Sequence, residues 1–272
     1  MSLEGNQRRL PAGRKADLAQ FIASHGQVTV AQLSQQFDVS IDTVRRDLDQ
    51  LHAEGVITRT YGGAISAQPV FRSDQGLKER TKLNAPAKEQ VAELAAALIP
   101  DGSVVIINSG TTTLALARHL RHHRDLTIAT NNLLLPAEIS PKALRDLYMF
   151  GGSVRTVTQA TTGPVSLRIG QTGGDIDVSA DIALIAIGAV NSEGYSTSNL
   201  PDAAMMAAMM DHAQRVIVLA DSSKFDRRLF AKVSDVGRAD YFVTDNAPEG
   251  ELLDALRDGG VEIITPKGEG DA

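Results

Sequence analysis

Seven short, unbroken apolar runs in the C-terminal two thirds of the chain constrain its fold more than any other feature. They are SVVIIN (103–108), LTIAT (126–130), LYMF (147–150), IALIAIGAV (182–190), RVIVLA (215–220), YFVT (241–244) and VEIIT (261–265). Between them lie patterns of helical period: KEQVAELAAALI (88–99), TLALARHL (113–120), DAAMMAAMMDHA (202–213) and PEGELLDALRDG (248–259). A strand that alternates apolar and polar residues covers one face of a sheet, whereas an uninterrupted apolar strand is buried on both. Such strands, alternating with helices, predict an α/β domain over 85–272: a mostly parallel open sheet with helices on both faces. None of the runs approaches the roughly 18 residues that span a bilayer, so no membrane association is expected.

The first part of the chain follows a different pattern. Leu18, Phe21 and Ile22 are spaced as one face of a helix that ends at Gly26. Thr29 opens a capping box with Gln32, and Val30, Leu33 and Phe37 line the helix that follows. FDVS makes a tight turn, Ser40 is the next N-cap, and Ile41, Val44, Leu48 and Leu51 form the stripe of a third helix that stops at Gly55. VITRTYGGAI then alternates into Gly62-Gly63, the mark of a β-hairpin. Three short helices and a β wing predict a winged helix-turn-helix over 10–66, the polar stretch 67–84 reading as a linker.

Charge sharpens the question that this third helix raises. The chain carries a formal net charge of −6, while residues 1–65 hold seven Lys/Arg and seven Asp/Glu and are neutral. Within SIDTVRRDLDQL (40–51), Arg45 and Arg46 stand among Asp42, Asp47 and Asp49. At about 100° per residue, the Val44–Leu48–Leu51 core stripe turns Arg46 to the opposite side. An ordinary surface pair between Asp42 and Arg46 at i, i+4 is one outcome, worth about 0.3–0.5 kcal/mol. The other is a recognition helix whose N-terminal turn meets phosphates or base edges.

Chemistry in the second domain concentrates where strands end. Asn108-Ser109-Gly110 followed by Thr111, Thr112 and Thr113 is a strand end, a small-residue turn and a helix start, a combination whose free amides and hydroxyls suit phosphate. Thr130-Asn131-Asn132, Gly151-Gly152 and Asp221-Ser222-Ser223-Lys224 close three further runs. In an open parallel sheet all four clusters fall at the edge where ligands bind. Met205, Met206, Met209 and Met210 read as core or subunit-interface filler. His119, His122 and His123 have no carboxylate pattern beside them and do not read as a metal site. The absence of cysteine excludes disulfides and thiolate chemistry, and MSLEGNQRRL has no apolar signal core, so a cytoplasmic location is expected.

VTVAQLSQQFDVSIDTVRRDLDQLHAEGVITRTYGGA resembles the N-terminal winged helix of the DeoR family of bacterial transcriptional regulators, and the resemblance extends over almost the whole chain. It implies a repressor, less often an activator, of carbohydrate catabolism, with double-stranded operator DNA and a small phosphorylated sugar as partners. It implies no cofactor and no catalysis. By that resemblance Ser40, Thr43, Arg45 and Arg46 contact DNA, and Arg59 with Gly62 and Gly63 belongs to the wing. The sensor domain is similar to ribose-5-phosphate isomerase, with the effector held by Asn108, Gly110, Thr111, Thr112, Thr113, Asn131, Gly151, Gly152 and Lys224. Two departures stand out: Met206 occupies the place of a usual lysine, and RIGQTGGDIDVSAD (168–181) is expanded. A single winged helix makes few contacts, so a homodimer or homotetramer is expected. The competing class is a sugar-phosphate isomerase or transferase with an accessory helical module, for which Asp181 and Asp221 are the available carboxylates.

Overall fold

Two units divide the chain, Met1–Phe71 and Arg72–Ala272. The computed structural model describes residues 14–15, 17–19, 21–22, 27–53, 56–60, 62–66, 77–168 and 175–266. The expectations placed on Gly26 and Gly55, on the first ten residues of the linker stretch, and on residues 169–174 of the expanded segment lie outside the described residues.

In the first unit, Arg14, Leu18 and Ile22 are helical and precede β1 (Gln27–Thr29), α1 (Val30–Phe37), α2 (Ile41–Ala53), β2 (Ile57–Thr60) and β3 (Gly63–Ser66). The capping box forms: the Thr29 hydroxyl accepts from the Gln32 amide at 3.2 Å, and Gln32 Oε1 accepts from the Thr29 amide at 2.8 Å. The turn after α1 is made by Asp38 in the left-handed conformation, φ 50°, and the Ser34 hydroxyl closes it by donating to the Val39 carbonyl. Ser40 Oγ then accepts from the Thr43 amide at 3.2 Å, as an N-cap does. Leu18, Ile22, Leu33, Val44, Leu48, Leu51 and Ile57 bury together as the core. Ile41 departs from its expected place in the stripe: it is 46% exposed, because the first residue of α2 stands beyond the packed layer.

The wing holds a strand that the sequence pattern did not reveal. β1 pairs antiparallel with β3, giving the order β1-β3-β2. Gly63 sits where this extra strand passes closest. A Cβ there would lie 2.1 Å from the Val28 carbonyl oxygen, well inside van der Waals contact. Gly63→Ala is therefore expected to destabilise the winged helix by about 1–3 kcal/mol. An unchanged melting curve would show that β1 can yield.

The second unit begins with α3 (Leu77–Lys82), α4 (Ala85–Ala96), β4 (Val104–Ile107), α5 (Thr111–His119), β5 (Leu126–Thr130), α6 (Leu135–Glu138) and β6 (Leu144–Met149). Short strands β7 (Ser153–Arg155), β8 (Ala160–Thr162), β9 (Ser166–Arg168) and β10 (Asp175–Asp177) lead to β11 (Ala180–Ala186). The chain continues through β12 (Ala189–Asn191), β13 (Gly194–Thr197), α7 (Leu200–Asp211), β14 (Ala213–Leu219) and β15 (Ala231–Ser234). It closes with β16 (Tyr241–Val243), α8 (Gly250–Asp258) and β17 (Glu262–Ile264).

Seven of these strands form one parallel sheet in the order β17-β16-β14-β11-β4-β5-β6, and each coincides with one of the seven apolar runs. Both faces of its central strands are buried, whereas the edge strands β6 and β17 are partly exposed. Val105, Ile107, Ile128, Leu184 and Ile217 face α4 and α5, while Ile106, Ala183, Ile185, Val216 and Val218 face the methionines of α7 and Leu252 and Leu256 of α8. Strand order runs outward in one direction from β4 and in the other from β11. Their junction is the topological switch point, the place at which open parallel sheets bind ligands beside their C-terminal strand ends.

The stretch expected as a linker differs from that reading. Residues 77–82 form α3, and the boundary between units falls after Phe71. No 3.6-residue apolar period announces α3. It is held from outside, by the buried Lys88 ammonium, which donates to the carbonyls of Arg80 and Leu83.

Candidate functional site

In α2 every aspartate has a specific arginine. Asp47 is buried and takes a two-pronged bond from Arg14 of the first helix, Nε to Oδ2 at 2.8 Å and Nη2 to Oδ1 at 3.3 Å. Hydrogen bonding to Asp47 raises the Arg14 guanidinium above its ordinary range. Asp49 pairs with Arg59 of β2 at 3.2 Å, and Arg59 also donates to the Arg45 carbonyl. Asp42 lies 3.7 Å from Arg45, not beside Arg46 as the i, i+4 spacing suggested. Arg46 is exposed and has no acidic partner among the described residues.

The aspartates thus brace α2 against the first helix and the wing, and one arginine is left pointing outward uncompensated. Ser40 and Thr43 hydroxyls lie 2.8 Å apart on the first turn of the same helix. Gly62 turns the hairpin with φ 96°, and its carbonyl accepts from the Val30 amide at 2.8 Å. Gly63 is a packing position beside β1.

At the C-terminal edge of the parallel sheet the sequence-predicted residues divide into frame and lining. Asn108 clamps the switch point: its Nδ2 donates to the Ala186 carbonyl and its Oδ1 accepts from the Ala186 amide, each at 2.8 Å. Asn131 Oδ1 accepts from the Ser109 amide at 2.7 Å, and its Nδ2 donates to the Thr161 carbonyl at 2.8 Å and lies 3.5 Å from Met205 sulfur. The Thr113 hydroxyl donates back to the Asn108 and Gly110 carbonyls. These three side chains hold the turn and are not free to line it.

Thr111 and Thr112 differ. Both are buried, and their hydroxyls make no hydrogen bond among the described residues. α5 starts from Gly110 with no side-chain cap, so its first amides are not covered by a cap. Uncapped amides plus two free hydroxyls make an anion-accepting turn. Gly152, φ 126°, lets the β6–β7 turn pass the Thr162 carbonyl, where a Cβ would lie at 2.2 Å.

After β14 the Ser222–Lys224 turn carries a cluster that the sequence signalled only faintly. Asp221 is buried, and its Oδ1 accepts from Asn84 Nδ2 at 3.1 Å, from the Ser223 amide at 3.3 Å and from the Ser223 hydroxyl. Lys88 is buried beside it. Its signal is positional: Lys88, Ala92, Ala95 and Ile99 follow i, i+4, i+7, i+11 along the apolar stripe of KEQVAELAAALI, so a lysine stands where a core residue is expected. Burial lowers the Lys88 amine to about 8 from its ordinary 10.5, with Asp221 opposing and Lys224 and Arg80 adding to the fall. Between those two pH values the unfolded chain binds the extra proton, so the stability contribution of Lys88 rises with pH through that window. NMR of reductively methylated protein should show one lysine with a midpoint near 8. A full set of ordinary midpoints would contradict its burial.

The remaining candidates fall apart as sites. Asp181 accepts from the Val104 amide at 2.8 Å at the N-terminal edge of the sheet, while Asp221 lies at the opposite edge. A seven-residue strand separates those edges by about 20 Å, too far for an acid–base pair. His119 faces Glu89 at 2.8 Å, His122 accepts from Arg121, and His123 Nε2 meets the Ala96 and Ile99 carbonyls. The α7 methionines are buried in the core.

Comparison with known proteins accounts for both units. Residues 14–70 match the DeoR-like helix-turn-helix domain, and residues 83–246 match the DeoR C-terminal sensor domain. The chain is 33% identical to a putative aga operon transcriptional repressor of Escherichia coli O157:H7, over 92% of both chains. It is 27% identical to the glycerol-3-phosphate regulon repressor of Escherichia coli K12, over 92% of this chain and 97% of that one. Ribose 5-phosphate isomerase A of Methanocaldococcus jannaschii superposes with a TM-score of 0.34 at 16% identity, covering 52% of this chain and 55% of that chain. With a winged helix followed by an open parallel-sheet sensor and matches to both family domains, this chain belongs to the DeoR family of transcriptional regulators.

Proposed function

We propose that the protein is an operator-binding repressor of a carbohydrate operon whose affinity for DNA is set by a phosphorylated sugar. The observation that carries the DNA half is the allocation of charge on α2. Asp42, Asp47 and Asp49 are each paired, which leaves Arg46 exposed and without an acidic partner among the described residues. In this reading α2 enters the major groove, Arg46 reaches a base edge or a phosphate, and Ser40, Thr43 and Arg45 contact the backbone. Arg59 and the Gly62-Gly63 turn carry the wing, and a homodimer or homotetramer matches repeated half-sites.

The effector half rests on the Gly110–Thr113 turn. Its amides and the Thr111 and Thr112 hydroxyls take the phosphoryl group, Asn108 and Asn131 fix the geometry, Gly151-Gly152 forms the rim, and Lys224 supplies a point charge. The names of the relatives, an aga operon repressor and a glycerol-3-phosphate regulon repressor, support a carbohydrate or polyol phosphate signal.

Thermal-shift screening against phosphorylated sugars tests the effector half. A matching compound at a hundred times its dissociation constant stabilises by about 2.7 kcal/mol, and Thr112→Val reduces that shift. If no member of the panel raises the melting temperature, the phosphate reading of the turn fails.

A further inference from the structure

On the first turn of α2 the polar side chains already have partners, and an apolar one faces solvent. Ser40 Oγ accepts from the Thr43 amide and lies 2.8 Å from the Thr43 hydroxyl. Asp42 is held toward Arg45 at 3.7 Å. Between Ser40 and Asp42 stands Ile41, the first residue of the helix, 46% exposed. In the unit Met1–Phe71 it is the one large apolar side chain exposed among the described residues. Phe21, Phe37, Val39 and Val56 at least lean on the core, and the rest are buried in it.

Helix geometry explains why the core does not take Ile41. Val44, Leu48 and Leu51 fix the buried direction, and at about 100° per residue Ile41 lies some 60° from Val44. That puts it on the flank of Arg45, one turn further along, whose carbonyl accepts from Arg59 of the wing. One exposed isoleucine on a protein surface is ordinary. Its place on the turn that a recognition helix presents to base edges is what gives this one a consequence. A hydrocarbon side chain there offers no donor or acceptor, so any purine edge or cytosine amine that it covers is left unpaired. The major groove has one apolar group to match it, the C5-methyl of thymine.

We propose that Ile41 is a specificity-determining residue of operator binding, packed on the C5-methyl group of one thymine in each half-site. The contact selects thymine over cytosine in two ways. It buries two apolar groups against each other, and it penalises cytosine by covering an amine without supplying an acceptor. Arg46 lies about 140° further round the helix and acts independently of this contact. The inference rests on the operator-binding reading of α2 and adds which group of a base that helix reads.

The test uses the full-length protein and the site it footprints in the upstream DNA of its own gene. Each thymine of a half-site is replaced singly by deoxyuridine, which keeps the pairing edge and removes only the methyl group. At one position wild-type affinity should fall about 4-fold, the effect of one buried methyl group. Ile41→Ala should bind the unmodified site at least about 4-fold more weakly, yet lose less than about 1.5-fold on that same deoxyuridine replacement. Ile41→Val should retain part of the methyl discrimination. Because Ile41 is exposed, both variants should melt within about 3 °C of wild type. No thymine at which the methyl matters, or a methyl effect equally large in Ile41→Ala, overturns the contact while leaving operator binding intact. A larger fall in melting temperature, with affinity recovered on cooling, makes Ile41 a packing residue and also overturns it. No protected site in the upstream DNA overturns the operator reading, and the thymine contact with it.

Discussion

Arg46→Ala is expected to weaken operator binding by about 1–3 kcal/mol, roughly 5- to 150-fold, while leaving the melting temperature nearly unchanged. The reason is local. Arg46 is exposed on α2 and has no acidic partner among the described residues, so its removal costs the fold no ion pair. Arg45 and Arg59 are different, since Asp42 and Asp49 already hold them in place. Salt dependence separates two ways Arg46 can act. If it holds a phosphate, the substitution weakens binding to every sequence alike and reduces the salt slope by about 1. If it reads a base, specificity relaxes at one position of the operator. Fluorescence anisotropy on operator and scrambled DNA at several salt concentrations measures both. An unchanged affinity would mean that Arg46 is only a solvated surface charge.

Asp47→Ala, one residue further along the same helix, is expected to act through the fold. It strips the two-pronged partner from Arg14, whose side chain is only 19% exposed, and breaks the tie between the first helix and α2. The loss is about 2–3 kcal/mol, less than for a fully dry pair because Arg14 keeps some water. For a unit of this size that lowers the melting temperature of the winged helix by about 10–20 °C, and operator binding falls with it. A cool sample should recover most of the affinity, in contrast to Arg46→Ala, whose deficit persists at every temperature. Unfolding followed by circular dichroism checks the first claim, and a Tm within about 2 °C of wild type would contradict the clamp.

These neighbouring residues also show how far the sequence could be read. The outward direction of Arg46 follows from helix period and the Val44–Leu48–Leu51 stripe, both local quantities, and the structure agrees. Which aspartate serves which arginine does not follow, because Arg14 and Asp47 are 33 residues apart in sequence. The central strands of the sensor sheet were legible because burial on both faces leaves unbroken apolar runs, and the edge strands β6 and β17 because part of each still reads as a short apolar run. β1 and the small antiparallel strands were not, since such short segments carry no measurable period. α3 escaped for another reason: its support comes from Lys88, outside its own sequence.

At the strand ends, position was legible and role was not. Asn108 and Asn131 do sit at the sheet's C-terminal edge, but their amides are engaged in crosslinking strands and loops, whereas Thr111 and Thr112 are left unbonded among the described residues. Composition cannot tell an amide that builds a pocket from one that faces it. A lysine on an apolar stripe was the available sign that the same edge holds a buried charge cluster.

Whether one chain joins operator binding to a phosphorylated ligand can be measured in a single titration. The dissociation constant for the upstream DNA of its own gene is determined with and without the sugar phosphate that stabilises the protein most. We expect a footprinted site and a change in affinity of about 5- to 150-fold on adding that ligand. Operator affinity unmoved by a ligand that demonstrably binds the sensor would contradict the coupling.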